Sequence, residues 1–454
     1  MHSKTGIEVQ AFLKLAVPLA SAQLAQAAVG FVDTIMMGRL GTEILAAGGL
    51  ASAAFQFLLN IASGFVMAVS PFVAEAYGAG RYKQIEQLAR QGLWLSLFLS
   101  LPIMATIYRL GFVLEGLGQS ASIVELAVPY FHLIAWGIFP ALGFAMLRGY
   151  VSALAQAHIV TVIVAIGTLF NIVGNYALGF GQFGFPRLGL AGLGLASGLS
   201  YWLMFLIFLA YIFQDSQLKR YRFLQDLYRL KPKILMRLIA TGTAIATTVV
   251  LEYGLFTIVT FLMGLLGTAV LAAHQAVYQT MYLLFTVPMG MSFAATVRVG
   301  QAFGQQDHSR IRRAGYVGIV LVTGFMVLTA IALVIYRRQV IGIYLDVHNP
   351  ANAQIIAMAM PMLLISALAQ ILDGIQRVAL GALYGLQDTR LPVLLSGVAF
   401  WGIGLTSGWL LGFLWELDGV GLLIGQSTGV AVAGLLFVWR FHRLTAPKHY
   451  FSRR

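Results

Sequence analysis

The sequence predicts an all-α polytopic membrane protein with about twelve transmembrane helices in two pseudo-symmetric six-helix lobes, arranged as a parallel repeat. Of its 454 residues, 59% are hydrophobic and only 10% are charged, and the mean hydropathy is +0.84. Soluble domains carry about 25% charged residues, so this composition excludes a soluble fold. Apolar runs of about 20 residues or more recur along the chain, and the first half of the sequence reappears in the second.

The apolar runs place the predicted spans along the chain. A polar stretch between the sixth and seventh spans predicts a cytoplasmic linker, residues 214–235, between a lobe of residues 1–213 and a lobe of residues 236–454. Alternating segments of about ten residues, which would indicate a membrane β-barrel, do not occur. The predicted spans are 13–37, 46–71, 92–114, 126–147, 159–180, 190–213, 236–262, 269–296, 314–336, 355–384, 391–413 and 419–440.

The distribution of positive charge predicts the topology. With the N-terminus inside, 23 of the 29 Lys and Arg residues fall in inside segments or at the inner ends of spans, and five fall in outside loops or at the outer ends of spans, while Arg377 lies well inside a span. By the positive-inside rule, both termini are therefore expected in the cytoplasm, as in a multi-pass protein of the plasma (inner) membrane. The net charge of +13 follows from this topology and is not taken as a sign of nucleic-acid binding.

The internal repeat has a fixed offset of 226 residues. Nine of the fourteen positions from 34 to 47 are identical to their counterparts in the second half, which indicates a duplication. Six spans per half give both copies the same orientation in the membrane, hence a parallel repeat. The identical pairs are Thr34/Thr260, Met37/Met263, Gly38/Gly264, Leu40/Leu266, Gly41/Gly267, Thr42/Thr268, Leu45/Leu271, Ala46/Ala272 and Ala47/Ala273.

Three of the sixteen carboxylates fall inside predicted spans: Asp33, Glu252 and Asp373. A charge in mid-bilayer costs on the order of 3 kcal/mol or more, so such residues are by default functional and face the protein interior. The repeat does not duplicate them, since Gln26 stands where the second half has Glu252, and Val259 stands where the first half has Asp33.

Glu252 and Asp373 are candidates for ion coupling. Glu252 has only apolar or small neighbours along the chain, so it would take a proton or need a cation such as Na⁺ to stay ionised. A protonated Glu252 that only donates a hydrogen bond between helices is the alternative. Asp373 could share the coupling site, with Na⁺ as a candidate ligand of both carboxylates, or it could form an ion pair with Arg377 at i+4.

Asp33 is the candidate proton or cation site of the first lobe, and a local helix cap is the alternative. Asn171 and Asn175, at i and i+4 of the fifth span, could face Asp33 or could serve interhelical hydrogen bonding alone. Further candidates for a cavity lining are Gln26 in the first lobe and Gln275 and Tyr278 in the second, next to His274, which is expected to be a satisfied interior residue.

With these residues in place, the sequence resembles the multidrug and toxic compound extrusion (MATE) family, and within it the NorM-type bacterial branch. The resemblance extends over essentially the whole chain and rests on the combination of motifs. They are VDTIMMGRLGTEILAAGGLA (32–51), FNIVGNYALGFGQFGFPRLGLAGLGLASGLS (170–200), LEYGLFTIVTFLMGLLGTAVLAAHQAV (251–277), LYGLQDTRLPV (383–393) and AFWGIGLTSGWLLGF (399–413).

The resemblance implies two six-helix lobes and the export of organic cations in exchange for Na⁺ or H⁺, with no other cofactor. It implies that Glu252 and Asp373 correspond to the acidic pair that binds the coupling ion, and that Asp33 corresponds to the first-helix aspartate, with Asn171 and Asn175 as its polar partners. The expected partners are small organic cations and the lipid bilayer, and the protein is expected to act as a monomer.

Two other function classes are alternatives to this interpretation: an exporter of lipid-linked or anionic solutes, and a membrane-embedded enzyme. A flippase or exporter of a lipid-linked or anionic solute should carry several mid-span cations, whereas only Arg377 is clearly mid-span. A membrane-embedded enzyme would need a nucleophile–base or metal-ligand cluster. The chain has no Cys, no HExxH or GxSxG motif and no phosphate-binding GxxxxGK[ST] loop, which argues against an enzyme or an ATP-driven pump.

Overall fold

The computed structural model describes residues 4–116, 118–221, 227–346 and 349–446, and all regular secondary structure in these ranges is helical. Three short π-helical segments continue longer helices, at Asn175–Gly179, Gly397–Leu405 and Leu410–Leu414, and Pro350–Asn352 forms a 3-10 turn. The α-helices are α1 Lys4–Leu40, α2 Thr42–Val66, α3 Val69–Gly78, α4 Tyr82–Tyr108, α5 Leu110–Gly116, α6 Ala121–Ala135, α7 Ile138–Ala153, α8 His158–Gly174, α9 Leu190–Gln214, α10 Ser216–Lys219, α11 Pro232–Leu265, α12 Thr268–Gly304, α13 His308–Ile335, α14 Arg337–Gly342, α15 Ala353–Gly385, α16 Arg390–Ser396, α17 Thr406–Trp409 and α18 Asp418–Thr445.

The helices confirm the predicted all-α membrane fold. Within the described ranges, eleven helical segments are long and apolar enough to cross a membrane, and the number rises to twelve if the bent pair α6 and α7 forms one span. These two helices meet at an angle of 51°. The pair coincides with the fourth predicted span, and each of the other predicted spans coincides with one helical segment.

Packing divides the chain into two compact units. One unit contains Met1–Ala20 together with Thr247–Arg454, and the other contains Ser21–Ala246. Both α1 and α11 therefore cross from one unit to the other, and their crossing points are separated by the repeat offset of 226 residues. This division by packing differs from the division by sequence, and the lobe boundaries at residues 213 and 236 stay a prediction.

Two glycines make the close helix contacts at these crossing points. In the first unit, a methyl group added at Gly290 would lie 2.4 Å from the Ala20 Cα; in the second, one added at Gly64 would lie 2.8 Å from the Ala246 Cα. The two contacts are equivalent in the repeat, since Gly64 pairs with Gly290 and Ala20 with Ala246. Small residues allow helix backbones to approach this closely, so packing requires glycine at both positions.

The identical residues of the repeat form a tight turn between the first two helices of each half. Gly41 precedes α2 with φ of 143°, and Gly267 precedes α12 with φ of 128°. Residues with a side chain rarely adopt such positive φ values. The equivalent residues Met37 and Met263 are buried. Turn geometry and burial thus account for part of the repeated motif.

A buried ion pair joins the start of α1 to α12 within the unit of Met1–Ala20 and Thr247–Arg454. The Arg298 Nε and Nη2 atoms donate to the two carboxylate oxygens of Glu8, each at 2.8 Å, and Arg298 Nη1 donates to Gln301 Oε1. Such a bidentate pair fixes orientation as well as distance. Glu8 precedes the first predicted span, which begins at residue 13, yet only 4% of its surface is exposed.

Candidate functional site

A buried cluster of charges lies on α11 and α15 in the unit that contains Thr247–Arg454. Glu252 comes from α11, and its Oε1 atom accepts a hydrogen bond of 2.6 Å from Nη2 of Arg377 on α15. Both residues are buried, with 3% of Glu252 and 9% of Arg377 exposed. An ion pair in such surroundings needs close contact, because each charge has lost most of its hydration.

This partner corrects an interpretation made from the sequence. Glu252 has only apolar or small neighbours along the chain, and the spacing of Asp373 and Arg377 allows an i+4 ion pair between them. The structure instead joins Arg377 to Glu252 across two helices. The i+4 spacing places Asp373 and Arg377 on one face of α15, but it does not decide where the long arginine side chain ends.

Asp373 lies in the same cluster, close enough for its charge to interact with those of Glu252 and Arg377. Its Oδ1 atom has no hydrogen-bond partner, and neither do Oε2 of Glu252 and Nε of Arg377. All three atoms are shielded from solvent. Buried polar atoms are usually satisfied, so the two carboxylate oxygens could accept a further proton or a cation.

One aromatic ring contacts the cluster, and others pack together on α11 and α12. The Arg377 guanidinium lies over the Phe285 ring, 4.9 Å from its centroid. Tyr278 stacks on Tyr282 at 6.4 Å between ring centroids and lies 6.3 Å from Phe256. Aromatic faces attract cations, and this aromatic wall of Phe256, Tyr278 and Tyr282 has the chemistry to stack against a cationic group.

Neighbouring contacts on α11 and α15 fix the cluster in place. Trp401, in the π-helical segment Gly397–Leu405, donates its indole N–H to the carbonyl of Leu251 at 3.0 Å. Ser292 donates to the carbonyl of Arg377 at 2.8 Å. Gln376, next to Arg377, is fully buried and neither of its amide atoms has a partner. The sequence gives no signal that Gln376 belongs to the site, because a single amide in an apolar run shows no periodicity.

The other candidate residues of this unit, His274, Gln275 and Tyr278, lie on α12 in different surroundings. His274 shares a 3.0 Å hydrogen bond with Thr260 through Nε2, although its Nδ1 atom has no partner. Tyr278 belongs to the aromatic wall, whereas Gln275 lies on the exposed face of α12. In the part of the chain that is described, no group of three or more His, Asp or Glu side chains is arranged to hold a metal ion.

In the unit Ser21–Ala246, a chain of polar contacts leads away from Asp33. Asn175 Nδ2 donates to Asp33 Oδ1 at 2.6 Å and to Asn171 Oδ1 at 3.1 Å, and Asn171 Nδ2 donates to Ser197 Oγ at 3.1 Å. Asn171 and Asn175 therefore do face Asp33, as one reading of the sequence had it. Asn175 opens the π-helical segment that continues α8, and π-helical turns are frequent at functional sites.

Two tyrosines and a glutamine complete the surroundings of Asp33. The Tyr130 and Tyr201 side chains lie within electrostatic range of the Asp33 carboxylate, and Tyr201 also hydrogen-bonds Gln56. Gln26 lies half-buried on the same face of α1, seven residues or about two turns before Asp33. The site in this unit is thus a single carboxylate among neutral polar groups.

Comparisons with known proteins agree with this architecture. The MatE family model matches residues 18–177 and 244–410. A Synechococcus protein named probable multidrug resistance protein NorM is 57% identical over 98% of this chain and 96% of its own length. Proteins of the same name from Synechocystis and Pseudomonas aeruginosa are 50% and 37% identical, with coverage of 97% and 98% of this chain and 96% and 92% of their own lengths.

Solved structures of low sequence identity share the fold. An outward-facing multidrug resistance MATE transporter of the MOP superfamily superimposes with a TM-score of 0.87 at 19% identity, covering 96% of both chains. A eukaryotic MATE transporter matches with a TM-score of 0.85 at 19% identity over 98% of this chain and 99% of its own. From its near-complete match to these relatives and to the family model, the chain belongs to the MATE family of transporters, in its NorM-type branch.

Proposed function

We propose that the protein is a secondary active multidrug efflux antiporter that exports organic cations in exchange for H⁺ or Na⁺. The observation that carries the proposal is the meeting of two carboxylates, Glu252 and Asp373, with unpartnered oxygens in the interior of a membrane unit. Its relatives are named multidrug resistance proteins, which supports the substrate class. The aromatic wall around Tyr278 offers planar cations a stacking surface.

Exchange follows from competition for the same negative charge. A buried carboxylate without a full set of partners is stabilised by an incoming proton, Na⁺ or organic cation, and only one of these can neutralise it at a time. A ligand shifts a conformational equilibrium only through its different affinities for the two states. Occupancy of Asp373 and Glu252 would supply that difference and link drug exit to ion entry.

Asp33 would provide a second cation site of a different kind. Its carboxylate accepts one hydrogen bond from Asn175 and is not paired with an arginine among the ion pairs of the described residues. Neutral donors stabilise an anion less than a guanidinium does, so Asp33 retains more capacity to bind a cation or proton. We therefore expect Asp33→Asn to weaken transport while leaving the Glu252–Arg377 pair intact.

The alternative function is the export of a lipid-linked or anionic solute by the same architecture. Arg377 is the buried cation that would have to bind such an anion, and Glu252 already occupies its Nη2 atom. With Asp373 nearby, the cluster carries two potential negative charges against one positive charge. This balance favours cationic over anionic substrates.

The proposed location is the plasma membrane with both termini in the cytoplasm. Since the chain has no Cys, single cysteines can report sidedness without background. Ser216 and Gln182 are both exposed and lie in segments predicted to be inside and outside, respectively. In intact cells, we expect a membrane-impermeant maleimide to label Gln182→Cys and not Ser216→Cys, and disruption of the membrane to expose both. Labelling of Ser216→Cys in intact cells would invert the topology.

The function itself is tested in everted membrane vesicles. We expect a fluorescent organic cation to accumulate inside the vesicles when the H⁺ or Na⁺ concentration is made higher inside than outside. The cation should leave again when an ionophore collapses this ion gradient. Vesicles without the protein serve as the control. Accumulation that follows neither gradient would refute ion-coupled antiport, and uptake of anions in place of cations would favour the alternative.

A further inference from the structure

We propose that Arg377 is a tethered cation that determines ion selectivity at the Glu252–Asp373 cluster by excluding Na⁺ from it. The inference rests on the proposed function in one respect, namely that these two carboxylates form a cation site. It goes further by assigning a specificity-determining role to the arginine and by naming the ion that the cluster rejects.

Arg377 already occupies one of the carboxylate oxygens that a bound ion would use. Arg377 Nη2 donates to Oε1 of Glu252 at 2.6 Å, and Oε2 of Glu252 and Oδ1 of Asp373 are shielded from solvent without a hydrogen-bond partner. A metal cation held by oxygen ligands needs several of them at once. A guanidinium on one of the two carboxylates removes a ligand and fills part of the space that the ion would need.

The positive charge of Arg377 also opposes the binding of Na⁺ to the cluster. With both acids ionised, the cluster carries two negative charges and the positive charge of Arg377, and the three interact electrostatically. A Na⁺ ion between the carboxylates would lie within a few ångströms of the guanidinium, and repulsion at that distance is strong in a poorly solvated interior. Without Arg377, the same two carboxylates would lack any internal counter-charge and would demand a cation from outside.

Neighbouring groups hold the Arg377 side chain and backbone in position. Its guanidinium packs over the Phe285 ring at 4.9 Å, and its own carbonyl accepts a hydrogen bond from Ser292. A cation held over an aromatic face and against a carboxylate is well positioned to remain when small inorganic ions are offered. A large aromatic cation, in contrast, could compete for both the ring and the carboxylate.

The test measures binding of Na⁺ alone to the purified protein in detergent, read as the shift in thermal unfolding temperature when K⁺ is replaced by Na⁺ at constant ionic strength. Ligand binding to the folded state raises that temperature. We expect wild type and Arg377→Lys, which keeps the charge, to show no shift. Arg377→Met should be stabilised by Na⁺ at concentrations roughly tenfold or more below any at which wild type responds. Equal responses of wild type and Arg377→Met would overturn the inference.

A second measurement covers the case in which Arg377→Met does not fold. In wild type, equilibrium binding of a fluorescent organic cation should be the same in Na⁺ and in K⁺, because Na⁺ does not reach the carboxylates. Competition by Na⁺ that Asp373→Asn abolishes would overturn the inference. The outcomes are separable from the proposed function: absence of organic-cation binding to wild type contradicts the transporter proposal, whereas the Na⁺ response of Arg377→Met requires no transport.

Discussion

Replacing Glu252 by Ala should destabilise the protein by about 3 to 5 kcal/mol, because it leaves the buried Arg377 guanidinium without its carboxylate. We also expect loss of gradient-driven transport, since the cluster would retain a single acid, Asp373, against an unpaired arginine. The measurements are the apparent melting temperature in detergent and the uptake of an organic cation in everted vesicles. Glu43→Ala is the matched control, because Glu43 is exposed at the start of α2.

A double variant separates folding from transport. Glu252→Gln with Arg377→Met removes both charges, and replacing a buried ion pair by neutral groups of similar size is often tolerated. We expect the double variant to recover most of the melting temperature lost by Glu252→Ala without recovering transport. If Glu252→Ala is as stable as wild type, the ion pair does not form. If the double variant still transports, Glu252 is not part of the coupling site.

Replacing Gly290 by Ala should sharply reduce the yield of folded protein. The added methyl group would lie 2.4 Å from both the Cα and the N atom of Ala20, so a backbone must move. Overpacking typically costs about 1 to 3 kcal/mol and more where the obstacle is backbone. The measurement is the fraction of monodisperse protein in size-exclusion chromatography, together with the melting temperature.

Gly324 provides the control for this prediction. It lies on an exposed face of α13, and a methyl group added there would meet nothing within 4 Å. Gly324→Ala should therefore be neutral or gain up to about 1 kcal/mol from helix propensity. Gly64→Ala, at the equivalent crossing point, should behave like Gly290→Ala, with the added methyl group 2.8 Å from the Ala246 Cα. Normal yields for both would show that the helices do not approach this closely.

Much of the fold could be predicted because it depends on signals along the chain. Length and apolarity of the runs predicted the spans, and the identities at an offset of 226 residues predicted a duplication, which the equivalent turns at Gly41 and Gly267 match. The i,i+4 spacing of Asn171 and Asn175 predicted that both amides lie on one face, where they do meet Asp33. Each of these features depends on local periodicity or on direct repetition.

The features that escaped prediction depend on contacts between distant helices. The sequence left the partner of Arg377 open, because a long side chain extends beyond its own helix, here to Glu252. Similarly, no pattern near Glu8 indicates that it meets Arg298, 290 positions away. Sequence spacing describes one helix face at a time, whereas these pairs depend on which faces pack together.

The most direct test of the central claim, that the acidic cluster couples ion entry to drug exit, is transport by Asp373→Asn. This variant leaves the Glu252–Arg377 pair in place and removes the acid without a hydrogen-bonded partner at Oδ1. Asp418→Asn, at an exposed helix start, is the control. We predict that Asp373→Asn loses gradient-driven accumulation of an organic cation yet still exchanges labelled for unlabelled substrate across the membrane. Gradient-driven accumulation at the wild-type rate would contradict the account.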